Sequence, residues 1–168
     1  MELTNDNNRP ITEPTGVEMT DFLQQMINNI SEQERKKRSQ EQMTLGQLIE
    51  QLEKMNLESR IICSTDTSMV FTTFDSYRGY YADLALGYIA KDYYEENKDD
   101  EIHTVKDFLE EAKKCLNKTF YGWKGGEFVM GADTPLWVAN SGHTSHFIID
   151  RIEESCGSCF VDLGLKEE

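Results

Sequence analysis

Two helix-start patterns, which begin at Thr44 and Thr104, constrain the fold of this chain more than any other feature. Each threonine stands three residues before a side chain that can complete a capping box, Gln47 in the first case and Asp107 in the second. Apolar residues follow at helical spacing, namely Leu45, Leu48, Ile49, Leu52 and Met55 in the first and Val105, Phe108, Leu109, Ala112 and Leu116 in the second. The sequence therefore predicts two capped amphipathic helices.

Strand-like runs follow both predicted helices and dominate the C-terminal third. They are residues 60–64, 69–74, 118–122, 127–130, 136–140, 147–152 and 159–163. Because two helices can cover only one face of such a sheet, we expect an α+β fold with a mostly antiparallel sheet. The repeated helix–strand order could record a duplication, but shared local physics explains it equally well, and we favour that interpretation.

Residues 1–43 are predicted to form an N-terminal extension ahead of a single α+β ligand-binding domain, residues 44–168. Thr15 and Glu18 have the spacing of a capping box. Beyond them one helix face carries only large apolar residues, which are Met19, Phe22, Leu23, Met26, Ile27 and Ile30. Residues 31–42 contain no apolar residue, so they are a solvated helical continuation or a linker. We expect this helix to be an oligomerisation arm and the protein to be a homo-oligomer.

The charge of the chain disfavours a general nucleic-acid binder. Its 17 basic and 31 acidic side chains give a formal net charge of −14. Residues 1–43 contribute −3, so the acidity belongs mainly to the predicted domain. Such a charge opposes the attraction to phosphate backbones on which nonspecific binding depends. We therefore expect no direct nucleic-acid partner.

The remaining composition points to the cytoplasm. No run approaches the roughly 18 apolar residues that a membrane span needs, and residues 1–14 are too polar for a secretory signal. Four cysteines in a reducing compartment are more often buried thiols or metal ligands than disulfides. We expect a cytoplasmic protein with no membrane partner.

The segment from Asp75 to Asp83 is rich in groups that recognise ligands. It places Tyr77, Arg78, Tyr80 and Tyr81 directly after a predicted strand. Tyrosine offers a wide apolar ring with a polar tip, and arginine presents a planar fork that grips phosphate or carboxylate. We predict a recognition loop. The alternative is a tyrosine-filled sheet corner in which Arg78 pairs with Asp75 or Asp83.

A second candidate segment contains a predicted hairpin. Gly125-Gly126 lies between strand-like runs and would bring Trp123 and Lys124 close to Glu127. The two glycines could also let backbone N–H groups approach an anion, although no helix follows them as in a nucleotide-binding loop.

A third segment, residues 133–140, begins as a turn and continues as a strand that contains Trp137 and Asn140. Trp137 is predicted to be either a core residue or a wall on which a ligand ring stacks.

Catalytic and metal patterns are weaker. No serine or cysteine lies in a recognisable nucleophile motif, and nothing marks Asp75 or Asp83 as a tuned acid or base, so we expect no enzymatic activity. His143 and His146 followed by Cys156 and Cys159 have the count of a zinc site but an unusual order, since an apolar run separates the pairs. We expect no metal and no cofactor.

Three runs carry a resemblance. They are Tyr77-Arg78-Gly79-Tyr80-Tyr81 with Asp83-Leu84-Ala85, Thr119-Phe120 with Gly122 and Lys124-Gly125-Gly126-Glu127-Phe128, and Thr134-Pro135-Leu136-Trp137-Val138-Ala139. In combination they resemble a family of small, mostly uncharacterised proteins of tailed bacteriophages, over residues 44–152. The extension 1–43 departs from the family pattern, and the resemblance brings no catalytic residues. It implies a protein that acts against host defence in the host cytoplasm.

These observations predict a non-enzymatic protein that sequesters a nucleotide-like small molecule, such as a host immune signal. Rings would stack on Tyr80, Tyr81 or Trp137, cations would meet phosphates, and polar groups would read ribose or base edges. The predicted ligand-binding residues are Tyr77, Arg78, Tyr80, Tyr81, Asp83, Trp123, Lys124, Glu127, Trp137 and Asn140. The alternative is an acidic DNA mimic that occupies a host nuclease or another DNA-binding defence protein.

Overall fold

A computed structural model describes residues 16–77, 83–91, 102–122, 126–139 and 146–166. The helices are α1 Gly16–Glu41, α2 Leu45–Leu52 and α3 Val105–Cys115. The strands are β1 Arg60–Cys63, β2 Met69–Tyr77, β3 Asp83–Ala90, β4 Thr119–Tyr121, β5 Glu127–Val129, β6 Leu136–Ala139, β7 Phe147–Ser155 and β8 Ser158–Leu165. Within these ranges no helix is long and apolar enough to cross a membrane.

Both predicted capping boxes are confirmed. The Thr44 hydroxyl accepts from the backbone N–H of Gln47, and the Gln47 side chain accepts from the backbone N–H of Thr44. Thr104 and Asp107 make the same reciprocal pair. Each box satisfies two backbone donors that a helix start would otherwise leave unpaired, so local chemistry alone sets where α2 and α3 begin.

The predicted α+β class is also confirmed. Six strands form one sheet in the order β1-β8-β7-β6-β3-β2, and β4 pairs with β5 in a separate small sheet. In the large sheet β2–β3, β6–β7 and β7–β8 are antiparallel, whereas β1–β8 and β3–β6 are parallel. β1 and β2, which follow α2, join the large sheet. β4 and β5, which directly follow α3, pair with each other in the small sheet, so the two helix–strand units have different topologies.

The large sheet buries side chains on both faces. Leu84, Leu86 and Val138 join the main core with α2 and α3, where Phe108 stacks on Phe71 and Phe74. The alternate residues Ala85, Trp137 and Ala139 join Tyr77 in a second buried cluster. Because side chains alternate along a strand, β3 and β6 are buried on both sides.

β3 was not foreseen in the sequence, and its placement corrects the predicted recognition loop. Asp75 to Tyr77 end β2, and Asp83 begins β3 as the register partner of Tyr77. Only residues 78–82 separate the two strands, and they lie outside the described residues. Leu84 to Leu86 are all buried, so this strand lacks the alternation by which half-buried strands are recognised.

The chain divides into two compact units, with the boundary between Ile30 and Ser31 inside α1. The predicted boundary lies at residues 43 and 44. Residues 31–41 are the helical continuation and not a linker. Arg35 and Arg38 form ion pairs with Asp133 and Asp83, which belong to the same unit. These contacts assign the last turns of α1 to the second unit.

Candidate binding site

Three predicted site residues meet in one buried cluster. The Tyr77 and Trp137 rings lie 5.5 Å apart between centroids, with their planes tilted by 34°. The Trp137 Nε1–H donates to Asp83 Oδ2 over 2.9 Å. β2, β3 and β6 are neighbouring strands, so the sheet register brings these side chains together.

The charge partner of Asp83 is Arg38, from the last turns of α1. Arg38 Nε lies 3.0 Å from Asp83 Oδ2, and Arg38 Nη2 donates to Asp83 Oδ1 over 3.1 Å. Asp83 is fully buried, and a buried carboxylate is tolerated only with such compensation. Arg38 was not among the predicted site residues, because it is 45 positions away from Asp83 in the sequence. The only sequence signal was the basic run at residues 35–38.

Further polar contacts hold the end of α1 beside this cluster. Gln42 Nε2 donates to the Leu136 carbonyl over 2.8 Å, and Lys166 Nζ donates to Gln42 Oε1 over 2.9 Å. Lys166 Nζ also lies 3.0 Å from Glu41 Oε2 and 6.0 Å from the centroid of the Trp137 ring. The Lys166 ammonium holds the pKa of the exposed Glu41 carboxyl below its ordinary value.

The cluster is interior, and this corrects part of the predicted site. Trp137 is 2% exposed, Tyr77 is 7% exposed and Asp83 is not exposed, so in this structure none of the three presents an open surface to a ligand. Of the two predicted positions for Trp137, the core is the one observed. The contacts described for Asp83 go to Arg38 and Trp137. The alternative interpretation, in which Arg78 pairs with Asp75 or Asp83, depends on a residue that lies outside the described ones.

Of the other predicted ligand-binding residues, the structure describes only Glu127. Arg78, Tyr80, Tyr81, Trp123, Lys124 and Asn140 lie outside the described residues. Glu127 is exposed on β5. The predicted hairpin is confirmed, because β4 and β5 are antiparallel and the Gly122 N–H donates to the Gly126 carbonyl over 3.0 Å.

Of the four residues considered as zinc ligands, the structure describes His146, Cys156 and Cys159, and it does not bring His146 close to Cys156. His146 precedes β7 and Cys156 follows it, so the nine residues of that strand, about 30 Å, separate them. Cys156 and Gly157 form the turn between β7 and β8 and both have positive φ, 49° and 75°. Cys159 is buried, and burial raises the pKa of its thiol to about 12. His143 lies outside the described residues.

No group of three or more His, Cys, Asp or Glu side chains converges on a metal-sized space within the described part of the chain. The comparisons with known proteins add no assignment. No model of a protein family, no curated protein and no solved structure matches this chain.

Proposed function

We propose that this protein binds a nucleotide-like small molecule without converting it and so sequesters it. The resemblance to tailed-phage proteins supports a role in the host cytoplasm, and the proposed ligand is a host immune signal. The candidate recognition groups are Arg78, Tyr80 and Tyr81.

The observation that carries the proposal is that both ends of residues 78–82 are anchored. Tyr77 and Asp83 are paired across β2 and β3, and each contacts Trp137. Arg38 adds an ion pair to Asp83. Recognition residues are commonly placed on short connections that a rigid scaffold positions, and the buried cluster supplies such a scaffold here.

The chemistry of the segment suits an anionic ring compound. An acidic protein that binds an anion needs local positive charge to offset its own field, and Arg78 supplies a guanidinium that can make two hydrogen bonds to a phosphate. Tyr80 and Tyr81 offer faces on which a base can stack. In the proposal Trp123, Lys124, Glu127 and Asn140 add contacts from the neighbouring segments.

The contacts of Asp83 favour binding over hydrolysis. Hydrolysis by a carboxylate pair such as Asp75 and Asp83 would need both carboxylates to reach the substrate. Asp83 is instead buried against Arg38 and Trp137, while Asp75 is exposed and accepts from the backbone N–H of Ser76. This arrangement uses Asp83 to organise the scaffold.

Calorimetric titration tests the proposal, with a panel of cyclic dinucleotides, cyclic oligonucleotides and ADP-ribose derivatives. Arg78→Ala should weaken binding at least about tenfold, because it removes a charge-assisted contact of about 1.5–3 kcal/mol. Tyr80→Ala and Tyr81→Ala should each cost about 1–3 kcal/mol where that ring stacks on a base. Arg151→Ala is the matched control, since Arg151 is exposed on β7 and pairs with Asp162.

Two outcomes would overturn the proposal. One is failure of every compound in the panel to bind the wild-type protein. The other is equal affinity in the wild type and the three segment variants. The DNA-mimic alternative would be favoured by a different pair of results. No compound of the panel would bind, and the protein would inhibit a DNA-cleaving defence nuclease. Neutralising its exposed carboxylates would abolish that inhibition.

The proposal includes self-association through the N-terminal helix. Its six predicted apolar residues are all exposed, by 46–57%. Met19, Leu23, Met26 and Ile30 are spaced by four, three and four residues, as in the seam of a coiled coil, and Phe22 and Ile27 flank them. Between Met19 and Ile30 the only charged residue is Asp21, so a second copy of the same stripe meets little repulsion there. The proposed occupant is therefore another copy of this chain.

A further inference from the structure

A cleft opens between β1 and β2, the two edge strands of the large sheet. Its volume is about 380 Å³. Residues 102–104 link the two edges beside it, because the Ile61 N–H donates to the His103 carbonyl over 2.8 Å and the Ile102 N–H donates to the Phe71 carbonyl over 3.0 Å. An isolated bridge also pairs Arg60 with Thr104. Backbone hydrogen bonds thus join both edge strands to residues 102–104 beside the cleft.

The lining of the cleft has two chemically different parts. Apolar side chains form one part, in which Cys63, Phe71 and Ile102 are 1–3% exposed and Ile61 and Met69 are half-buried. The other part is the exposed rim, which carries Arg60, Lys91 and His103.

The charged side chains that line the rim, among the described residues, are basic, whereas the whole protein is acidic. In the described part of the chain no Asp or Glu lines the cleft, although the formal net charge of the protein is −14. The salt bridges among the described residues include neither Arg60 nor Lys91. Arg60 and Lys91 therefore both line this opening, and within the described residues neither has a carboxylate as an ion-pair partner.

We infer that this cleft is a second binding site, for a small amphiphilic anion whose apolar body lies against the buried wall and whose anionic group meets Arg60 and Lys91. Its volume falls within the range of small-ligand pockets, about 300–1,000 Å³. Arginine binds phosphate, sulfonate or carboxylate oxygens through paired N–H groups, and the apolar wall rewards burial of a ring or chain.

The cleft is separate from the segment of the proposed function. It is lined by Met69 to Phe71 at the start of β2, whereas residues 78–82 follow the other end of that strand. Met69 and Tyr77 are eight residues apart, which is about 25 Å along a strand. Burial raises the pKa of the Cys63 thiol that lines the cleft.

The test uses 8-anilinonaphthalene sulfonate, an aromatic anion that fluoresces in apolar surroundings. The full-length chain carries Leu23→Glu and Met26→Glu in every sample, because these charges interrupt the exposed apolar stripe of α1 and disfavour binding of the anionic dye there. Added Arg60→Gln should weaken dye binding about tenfold and Lys91→Gln about threefold, because each removes a charge-assisted contact. Added Arg151→Gln, a change at an exposed arginine that does not line the cleft, should leave the affinity unchanged.

An uncharged analogue separates the two parts of the inference. N-phenyl-1-naphthylamine should bind the same protein with equal affinity whether or not Arg60 and Lys91 are replaced, because it contacts only the apolar wall. Dye-induced changes in backbone amide NMR shifts should concentrate at residues 60–63, 69–71 and 102–103. Equal or tighter dye binding in Arg60→Gln and Lys91→Gln, or shift changes elsewhere in the chain, would overturn the inference. Neither result would alter the outcome expected for Arg78→Ala.

Discussion

Trp137 and Asp83, on neighbouring parallel strands, are joined by a buried hydrogen bond of 2.9 Å between the indole N–H and a carboxylate oxygen. The same carboxylate forms an ion pair with Arg38 of α1. One fully buried side chain therefore connects the sheet to the last turns of the helix. Removing one partner of such a buried group leaves the others without compensation, which costs more than the net value of the contact.

Asp83→Asn should lower the free energy of unfolding by about 2–4 kcal/mol, because the Arg38 guanidinium loses its buried counter-charge. Trp137→Phe should cost about 1–3 kcal/mol, from the lost N–H donor and the smaller ring. Urea unfolding measures both changes. Asp75→Asn, at an exposed carboxylate of the adjacent strand, is the control and should lie within about 0.5 kcal/mol of wild type. A similarly small effect of Asp83→Asn would contradict the role assigned to this cluster.

The exposed stripe of α1 should determine the oligomeric state. Leu23→Glu with Met26→Glu should convert a larger species to a smaller one in light scattering, because charges in the seam oppose association. Asn28→Glu is the control, since Asn28 lies on the helix face opposite Met19. The same monomeric mass in all three proteins would rule out self-association through this face. Full-length variants are preferable to a chain that begins at Gln42, because that truncation also removes Arg38 from Asp83.

The four cysteines should differ sharply in reactivity. Cys156 is exposed, whereas Cys63, Cys115 and Cys159 are buried. Burial raises the pKa of Cys63, and it raises the pKa of Cys115 to about 11 and that of Cys159 to about 12. Ellman's reagent at pH 8 should therefore modify one thiol per native chain rapidly and all four only after unfolding. Fast modification of two or more native thiols would contradict the burial of the other three.

The raised thiol pKa values also predict a loss of stability at high pH. A thiol with a higher pKa in the folded state contributes fully to stability below its unfolded pKa, about 8.5, and this contribution is lost as pH rises towards the folded value. The free energy of unfolding should fall between about pH 9 and 12. Cys159→Val should show a shallower decline than wild type. An identical decline in both proteins would assign the alkaline loss to other groups.

The capping box of α3 should respond to acid, whereas that of α2 should not. Burial tends to raise the pKa of Asp107, but bonds from the Thr104 hydroxyl and from the backbone N–H groups of Thr104 and His103 outweigh it and lower the pKa. A lowered pKa contributes stability above the unfolded value, about 3.9, that is lost as pH falls through the folded value. Asp107→Asn should cost about 1 kcal/mol at pH 7 and progressively less below pH 4.

Gln47→Ala provides the matched control for this prediction, because the α2 box has the same geometry without an ionisable side chain. Its cost should not change between pH 7 and 3. A pH-independent cost for Asp107→Asn would show that the charge of Asp107 contributes nothing to the cap.

Elements whose cause is local were predictable from the sequence. Thr44 with Gln47 and Thr104 with Asp107 begin helices because capping needs only residues three positions apart. The turn between β7 and β8, which Cys156 and Gly157 form, lies between the predicted strands 147–152 and 159–163. β3 was missed because it is buried on both faces, but its apolar run from Leu84 to Leu86 was the available signal.

The candidate site was only partly predictable. Tyr77, Asp83 and Trp137 were selected from their chemistry, and the structure brings them together, but as a buried scaffold. Their burial depends on Arg38 and on the register of three strands, and no short-range pattern encodes either. The cleft beside Arg60 and Lys91 depends in the same way on the strand order, which makes β1 and β2 the two edges of the sheet.

The sequence by itself determined the capped helices, most strands, the apolar stripe of α1 and the α+β class, because periodicity and capping act over a few residues. Only the tertiary structure decided that Arg38 pairs with Asp83, that Trp137 is interior, and that Arg60 and Lys91 share one opening. Arg38 and Asp83 are 45 positions apart in the sequence, and Arg60 and Lys91 are 31 positions apart. Such contacts form because burying both sheet faces selects one strand order, and the buried charge then requires a partner from wherever the chain can supply one.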